Sequence, residues 1–258
     1  MASLERPNAV LDYSEEGGGP LAVYAHGAAL SREAEDRFLN DWAPFVAMGN
    51  RLVRYDARGH GRSTGRPEAD DYRFEVFADD LIALVDGLGG GPVNALGSSL
   101  GTATTLHAAV KAPDRFRALV LMIPPTAWET RPAQQAIYRQ GADVVESKGM
   151  LGLAELLGGA AGPEIFAQGP ALPMPDVAES LLPAVMRGLG QSDLPAHEEV
   201  AKITLPTLIL SWATDPGHPV STGEKLHELL PNSEFHVSMT VDDVRTWTTK
   251  AADFLSTQ

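Results

Sequence analysis

Apolar positions along this chain follow two rhythms. Short unbroken runs recur at LAVYA (21–25), RLVRY (51–55), PVNAL (92–96), ALVLMI (118–123) and TLILSW (207–212). Each has strand length and is apolar on both faces, as expected of strands covered by helices on both sides of a parallel sheet. Between them the period lengthens. FEVFADDLIALVDGLG (74–89) sets Phe74, Phe77, Leu81, Leu84 and Leu88 on one stripe and ends in glycines suited to a C-terminal cap. STGE at 221–224 offers a capping box through Glu224 and predicts a helix from Ser221 through KLHELLP. Alternating strand and helix predict an α/β fold with a doubly wound, mostly parallel sheet.

The rhythm breaks at 124–200. Nine of the nineteen prolines fall there, beside the glycine-rich LLGGAAGPEIFAQGPALPMP, so no buried strand is expected in it. RPAQQAIYRQGADVVESKG (131–149) and PDVAESLLPAVMRGLG (175–190) carry apolar residues at helical spacing. A small helical insertion over the sheet fits better than a long structureless loop.

Length and charge narrow the function. At 258 residues the chain suits one α/β domain carrying an insertion. A formal charge of −14 repels nucleic acid and anionic membranes, so neither is expected as a partner. The absence of cysteine excludes disulfides, thiolate metal sites and a cysteine nucleophile. MASLERPNAVLDYSEEGGGP has neither the apolar core nor the basic leader of a secretory signal, and no run has membrane-spanning length. These features read as a soluble cytoplasmic protein, monomeric or homodimeric, whose partner is a small-molecule substrate.

GSSLG at 97–101 follows a strand-like run and precedes the helix-like LGTATTLHAAV. This is the setting of a nucleophile elbow, in which small neighbours permit a tight turn that presents the serine, here Ser99. The Leu100 amide would then open a helix, where unpaired N–H groups favour developing negative charge. The glycines of GLGGGP precede a strand instead of following one, no phosphate-binding GxxxxGK[ST] occurs, and HEEV and HELL lack a second zinc-binding histidine. Nothing calls for a cofactor or a metal.

With this elbow the chain resembles the α/β-hydrolase superfamily over nearly its whole length, and three further stretches carry the likeness. AHGAAL (25–30) is similar to the family's HG oxyanion loop, which implies that the Ala28 amide completes the hole begun by Leu100. YDARGHGRSTG (55–65) is similar to the strand-ending D-x-R-G-x-G-x-S loop. LPTLILSWATDPGHPV resembles the late strand that presents the acid of a catalytic triad, which implies Asp215. The resemblance makes 1–123 and 201–258 the hydrolase core and 124–200 a helical cap.

The histidine departs from the pattern. The family places it after the last strand, where this chain reads Ser238, Met239 and Thr240. His236 is near, but FHVS looks like the strand itself, short of the carboxyl-end site, and His236 reads as a core histidine satisfied by its neighbours. His26 belongs to the oxyanion loop, with a structural role or a contact to substrate, and His60 fits a structural role in the DARGHG loop. His107 lies two helical turns past Ser99, while His197 and His227 sit among acids and read as solvated surface. His218, in ATDPGHPV at the end of the late strand, is the candidate base. Its orienting acid stays open between Asp215 and Glu129. The resulting expectation is a serine hydrolase acting on a small, largely apolar carboxylic ester or lactone. The alternative is a fold member with an incomplete triad that binds a ligand or performs cyclisation or lyase chemistry.

Overall fold

The computed structural model describes residues 2–38, 40–158, 162–167 and 173–258. Eight strands form one sheet: β1 (Ala2–Arg6), β2 (Ala9–Gly17), β3 (Leu21–Ala25), β4 (Arg51–Tyr55), β5 (Val93–Ser98), β6 (Phe116–Met122), β7 (Thr207–Trp212) and β8 (Ser233–Ser238). Their order is β1-β2-β4-β3-β5-β6-β7-β8. From β4 to β8 all neighbours are parallel, and β2 is antiparallel to both β1 and β4. The five expected strands are present within a few residues of their expected ends, and FHVS lies in β8. The β1–β2 hairpin is an addition, half-exposed at the sheet edge.

Ten α-helices, besides four short 3-10 turns, are described: α1 (Arg32–Phe38), α2 (Ala43–Ala47), α3 (Phe74–Gly87), α4 (Leu100–Lys111), α5 (Arg131–Gly158, kinked at Gly149), α6 (Leu182–Leu189), α7 (His197–Val200), α8 (Val220–Leu229), α9 (Val241–Val244) and α10 (Trp247–Leu255). The continuous apolar runs have the reason expected of them. Val23, Val53, Ala95, Leu119, Leu121 and Ile209 join the core that includes α3, α4 and α8 residues. Their strand neighbours Ala22, Leu52, Leu96, Val120, Leu208 and Leu210 join a second core with Trp42, Phe45, Trp247 and Ala251. Alternate side chains on one strand therefore serve opposite faces, and both faces are dry.

Two helical expectations need correction. No capping box forms at Ser221: the helix starts at Val220, Pro219 stands at its N-cap, and no side chain caps it. The segment 175–190 is helical only from Leu182. Its first part runs extended across two loops, with Val177 bridged to His60, the Asp176 amide donating to the Ala29 carbonyl (2.8 Å) and the Gly61 amide donating to the Asp176 carbonyl (2.8 Å). Those loops supply hydrogen bonds that a helix would otherwise make internally. No described helix is long and apolar enough to cross a membrane.

Candidate active site

The chain runs outward from β3 to β4 and then returns to place β5 on the other side of β3. At such a switch point the strand ends leave a crevice. The loops after β3, β5 and β7 carry His26–Ala28, Ser99 and Asp215–His218 to this end of the sheet.

Ser99 stands between β5 and α4 with φ 52° and ψ −106°, a strained conformation for a residue with a side chain. The surrounding glycines are required by contact distance. A Cβ on Gly97 would lie 2.1 Å from the Gly101 carbonyl oxygen, and one on Gly101 would lie 1.9 Å from that of Ala25. Thr102 Oγ1 donates to the carbonyls of Gly97 (2.9 Å) and Met122 (2.7 Å), tying the turn to β6.

Ser99 Oγ is 2.8 Å from His218 Nε2, and His218 Nδ1 is 2.7 Å from Asp215 Oδ2. The ionised carboxylate only accepts, so the imidazole proton sits on Nδ1 and Nε2 is free to accept from the serine hydroxyl. Three residues suffice to separate acid and histidine because the chain turns sharply between them. Within the turn the Gly217 amide donates to Asp215 Oδ1 (2.8 Å) and the His218 amide donates to the Asp215 carbonyl (3.2 Å), and Thr214 just ahead of it has φ 67°. The Thr126 amide holds the Gly217 carbonyl (3.1 Å), fixing this turn to the chain beyond β6. Burial pushes the Asp215 carboxyl up, but the His218 hydrogen bond and charge, with bonds from Trp212 and Gly217, outweigh it and hold the group down at about 2.

Trp212 was missed by sequence reasoning, its signal being only an aromatic at the last position of the strand before the acid. Its Nε1 donates to Asp215 Oδ2 (2.8 Å), and its ring meets His218 edge-on, stacks on Trp247 and takes Phe166 edge-on. Ser238, expected in the loop after the last strand, is instead the last residue of β8, buried and accepting from Trp247 Nε1 (2.9 Å), while Met239 just beyond it is exposed.

The Leu100 amide opens α4 and so has no partner within its helix. The Ala28 amide has no hydrogen-bond partner among the described residues. His26 is 2 % exposed and both its ring nitrogens are engaged. The Ala57 amide donates to Nε2 (2.9 Å) and Nδ1 donates to the Gly27 carbonyl (2.8 Å). Of the two roles expected for His26, these bonds favour the structural one, since neither ring nitrogen is left to hydrogen-bond a substrate. Burial drives its pKa down to about 4 and that of neighbouring His60 to about 3, so both stay neutral.

The remaining candidates lie apart. Glu129 is exposed and makes no hydrogen bond to His218 among those described. His236 is 38 % exposed and hydrogen-bonded to Asp243 (2.7 Å), so it is satisfied by a neighbour as expected but lies at the surface and not in the core. His107 bonds the Asp193 carbonyl (2.9 Å), and His197 packs edge-on against Trp128 instead of standing free in solvent. His227 is exposed, bonded to Ser233. The DARGHG loop is anchored by Arg58, whose Nε and Nη2 both reach the buried Asp80 carboxylate at 2.7 Å.

Strand order, elbow and loop positions together define one class of protein. Residues 21–143 match the family model described as alpha/beta hydrolase fold. The enol-lactonase structure from Burkholderia xenovorans LB400 superposes with a TM-score of 0.81 at 19% identity, covering 99% of this chain and 100% of that one. The protein has the α/β-hydrolase fold. Among curated relatives, (E)-2-((N-methylformamido)methylene)succinate hydrolase of Acinetobacter baylyi is 25% identical over 92% of this chain and 88% of its own. The same organism's 3-oxoadipate enol-lactonase 2 is 26% identical over 72% of this chain and 69% of its own.

Proposed function

We propose that the protein is a serine hydrolase of small, largely apolar carboxylic esters or lactones. The observation that carries this reading is the unbroken hydrogen-bonded series Ser99 Oγ, His218 Nε2, His218 Nδ1, Asp215 Oδ2 at 2.8 and 2.7 Å. As Ser99 Oγ bonds to the substrate carbonyl carbon, its proton passes to His218 Nε2, and Asp215 steadies the imidazolium. The Ala28 and Leu100 amides take the oxyanion. Collapse breaks the acyl C–O bond, and the proton goes from His218 to the departing oxygen. Water then repeats the sequence, freeing the acid and restoring Ser99.

The lactone part of the reading draws on two relatives named as enol-lactonases. Residues 124–200 act as the cap, which the extended run at 176–177 over the Ala29 and His60 loops supports. A cap that encloses a pocket, on a chain of charge −14, favours neutral apolar substrates.

The test is turnover of short-chain p-nitrophenyl esters and of γ- and δ-lactones by wild type, Ser99→Ala and His218→Ala. Both variants should lose on the order of a thousandfold in kcat. Equal turnover in Ser99→Ala would overturn the reading. An inert but folded wild type would favour ligand binding or non-hydrolytic chemistry instead.

A further inference from the structure

Behind the HG loop lies a carboxyl group for which the proposed reaction has no use. Glu35 sits on α1 in SREAEDRF, a stretch so charged that it reads as a solvent face, yet it is 4 % exposed. Its Oε1 accepts the Gly27 amide at 2.7 Å. Its Oε2 meets the Tyr24 hydroxyl and the Asn40 side-chain amide, the latter at 3.4 Å, and Asn40 also donates to Tyr24 Oη at 3.0 Å. A Cβ placed on Gly27 would lie 3.0 Å from Glu35 Oε1 and 3.7 Å from Ser99 Cβ. Carboxyl and serine thus flank the same glycine.

Resting on the hydrolase reading, we propose that Glu35 is a positioning residue of the Ser99 site, and that its protonated form is the one that supports the oxyanion. The loop peptides are held from two sides. Glu35 takes the Gly27 N–H, and His26 Nδ1–H takes the Gly27 carbonyl, which belongs to the same peptide group as the Ala28 N–H. In a trans peptide C=O and N–H point oppositely, so holding that carbonyl sets the direction of the Ala28 amide. A neutral Glu35 performs this anchoring through its carbonyl oxygen while its O–H faces Tyr24 Oη. An ionised Glu35 still accepts the Gly27 amide and now accepts from the Tyr24 hydroxyl instead of donating to it, but it adds a full negative charge behind the position where the oxyanion develops.

The surroundings hold the neutral form well above the pH range of an ordinary carboxyl. Burial raises Glu35 to about 7, against the hydrogen bonds from Tyr24 on β3 and the Gly27 amide, with Asp36 on its own helix adding to the rise and Arg54 on β4 opposing it. Arg54 is committed elsewhere, to Asp36 (2.5 and 2.6 Å) and Glu16 (2.9 Å). No cation touches Glu35 directly among the described contacts.

The experiment is the pH profile of kcat for p-nitrophenyl butyrate, corrected for spontaneous hydrolysis, in wild type, Glu35→Gln and Tyr24→Phe. Wild-type kcat should fall by about tenfold on the alkaline side of about pH 7 as the charge appears. Glu35→Gln, which keeps an acceptor for Gly27 but cannot ionise, should lack that limb. Tyr24→Phe, which removes a bond favouring the ionised form, should move the limb to higher pH. A purely structural role would change the height of the profile and leave its shape alone. Superimposable profiles for wild type and Glu35→Gln overturn the proposal. If Glu35→Gln does not fold, a limb unmoved in Tyr24→Phe overturns it. Failure of the hydrolase reading looks different, since turnover would then be absent or would survive in Ser99→Ala.

Discussion

Replacing Glu35 with Gln should also change how stability depends on pH, by an amount its burial sets. The carboxyl rises from its ordinary 4.5 to about 7 in the folded protein. Between those values the folded chain keeps a proton that the unfolded chain has released. This contribution to stability is therefore fully present below about 4.5 and is lost as pH rises through about 7. At about 1.4 kcal/mol per pH unit the whole loss is about 3 kcal/mol, and most of it falls between about pH 5 and pH 8. His26 and His60 work in the opposite sense. Their folded values lie near 4 and 3, below the ordinary 6.5, so the stability they provide is lost as pH falls below 6.5. A wild-type curve alone mixes these effects, and the difference between wild type and Glu35→Gln separates them. Urea unfolding followed by circular dichroism should show wild type losing about 2 kcal/mol relative to the variant between about pH 5 and pH 8. Parallel stability curves for the two proteins would refute the reasoning.

Two further substitutions test other links. Arg58→Met leaves the buried Asp80 carboxylate with Arg6 as its remaining cation (2.9 Å), and chemical denaturation should show a loss of about 3 kcal/mol; a change under about 0.5 kcal/mol would mean that Arg6 suffices. Trp212→Phe keeps an aromatic between Trp247 and Phe166 but removes the Nε1 donor to Asp215. Ester turnover should lose about tenfold in kcat with KM little changed, whereas an unchanged kcat would show that Gly217 and His218 hold the carboxylate unaided.

The legible features were those whose physics is local. Strands buried on both faces declare themselves as apolar runs, and GSSLG contains the glycines that its own close contacts require. The β1–β2 hairpin does not, because an edge hairpin with one wet face carries a diluted alternation. The extended run at 176–177 was hidden for another reason. Its backbone partners are Ala29 and Gly61, more than a hundred residues away, while its own residues suit a helix. His218 emerged from the sequence by elimination, and the turn that folds it back on Asp215 is closed by the Gly217 and His218 amides on Asp215 itself, bonds that composition does not announce. Glu35 and Trp212 carried no local mark. An acid among charges looks solvated until Tyr24 and Gly27 close over it, and an aromatic ending a strand looks like core until its N–H finds Asp215.

The central claim is that Ser99 is activated by His218 and not by His236 on β8. Fluorophosphonate labelling of wild type, Ser99→Ala, His218→Ala and His236→Ala tests it most directly, because the probe reports serine reactivity without needing the substrate. The account predicts rapid, pH-dependent labelling of wild type and His236→Ala, and none beyond background in Ser99→Ala or His218→Ala. Labelling that persists in Ser99→Ala, or that survives in His218→Ala and disappears in His236→Ala, would contradict it.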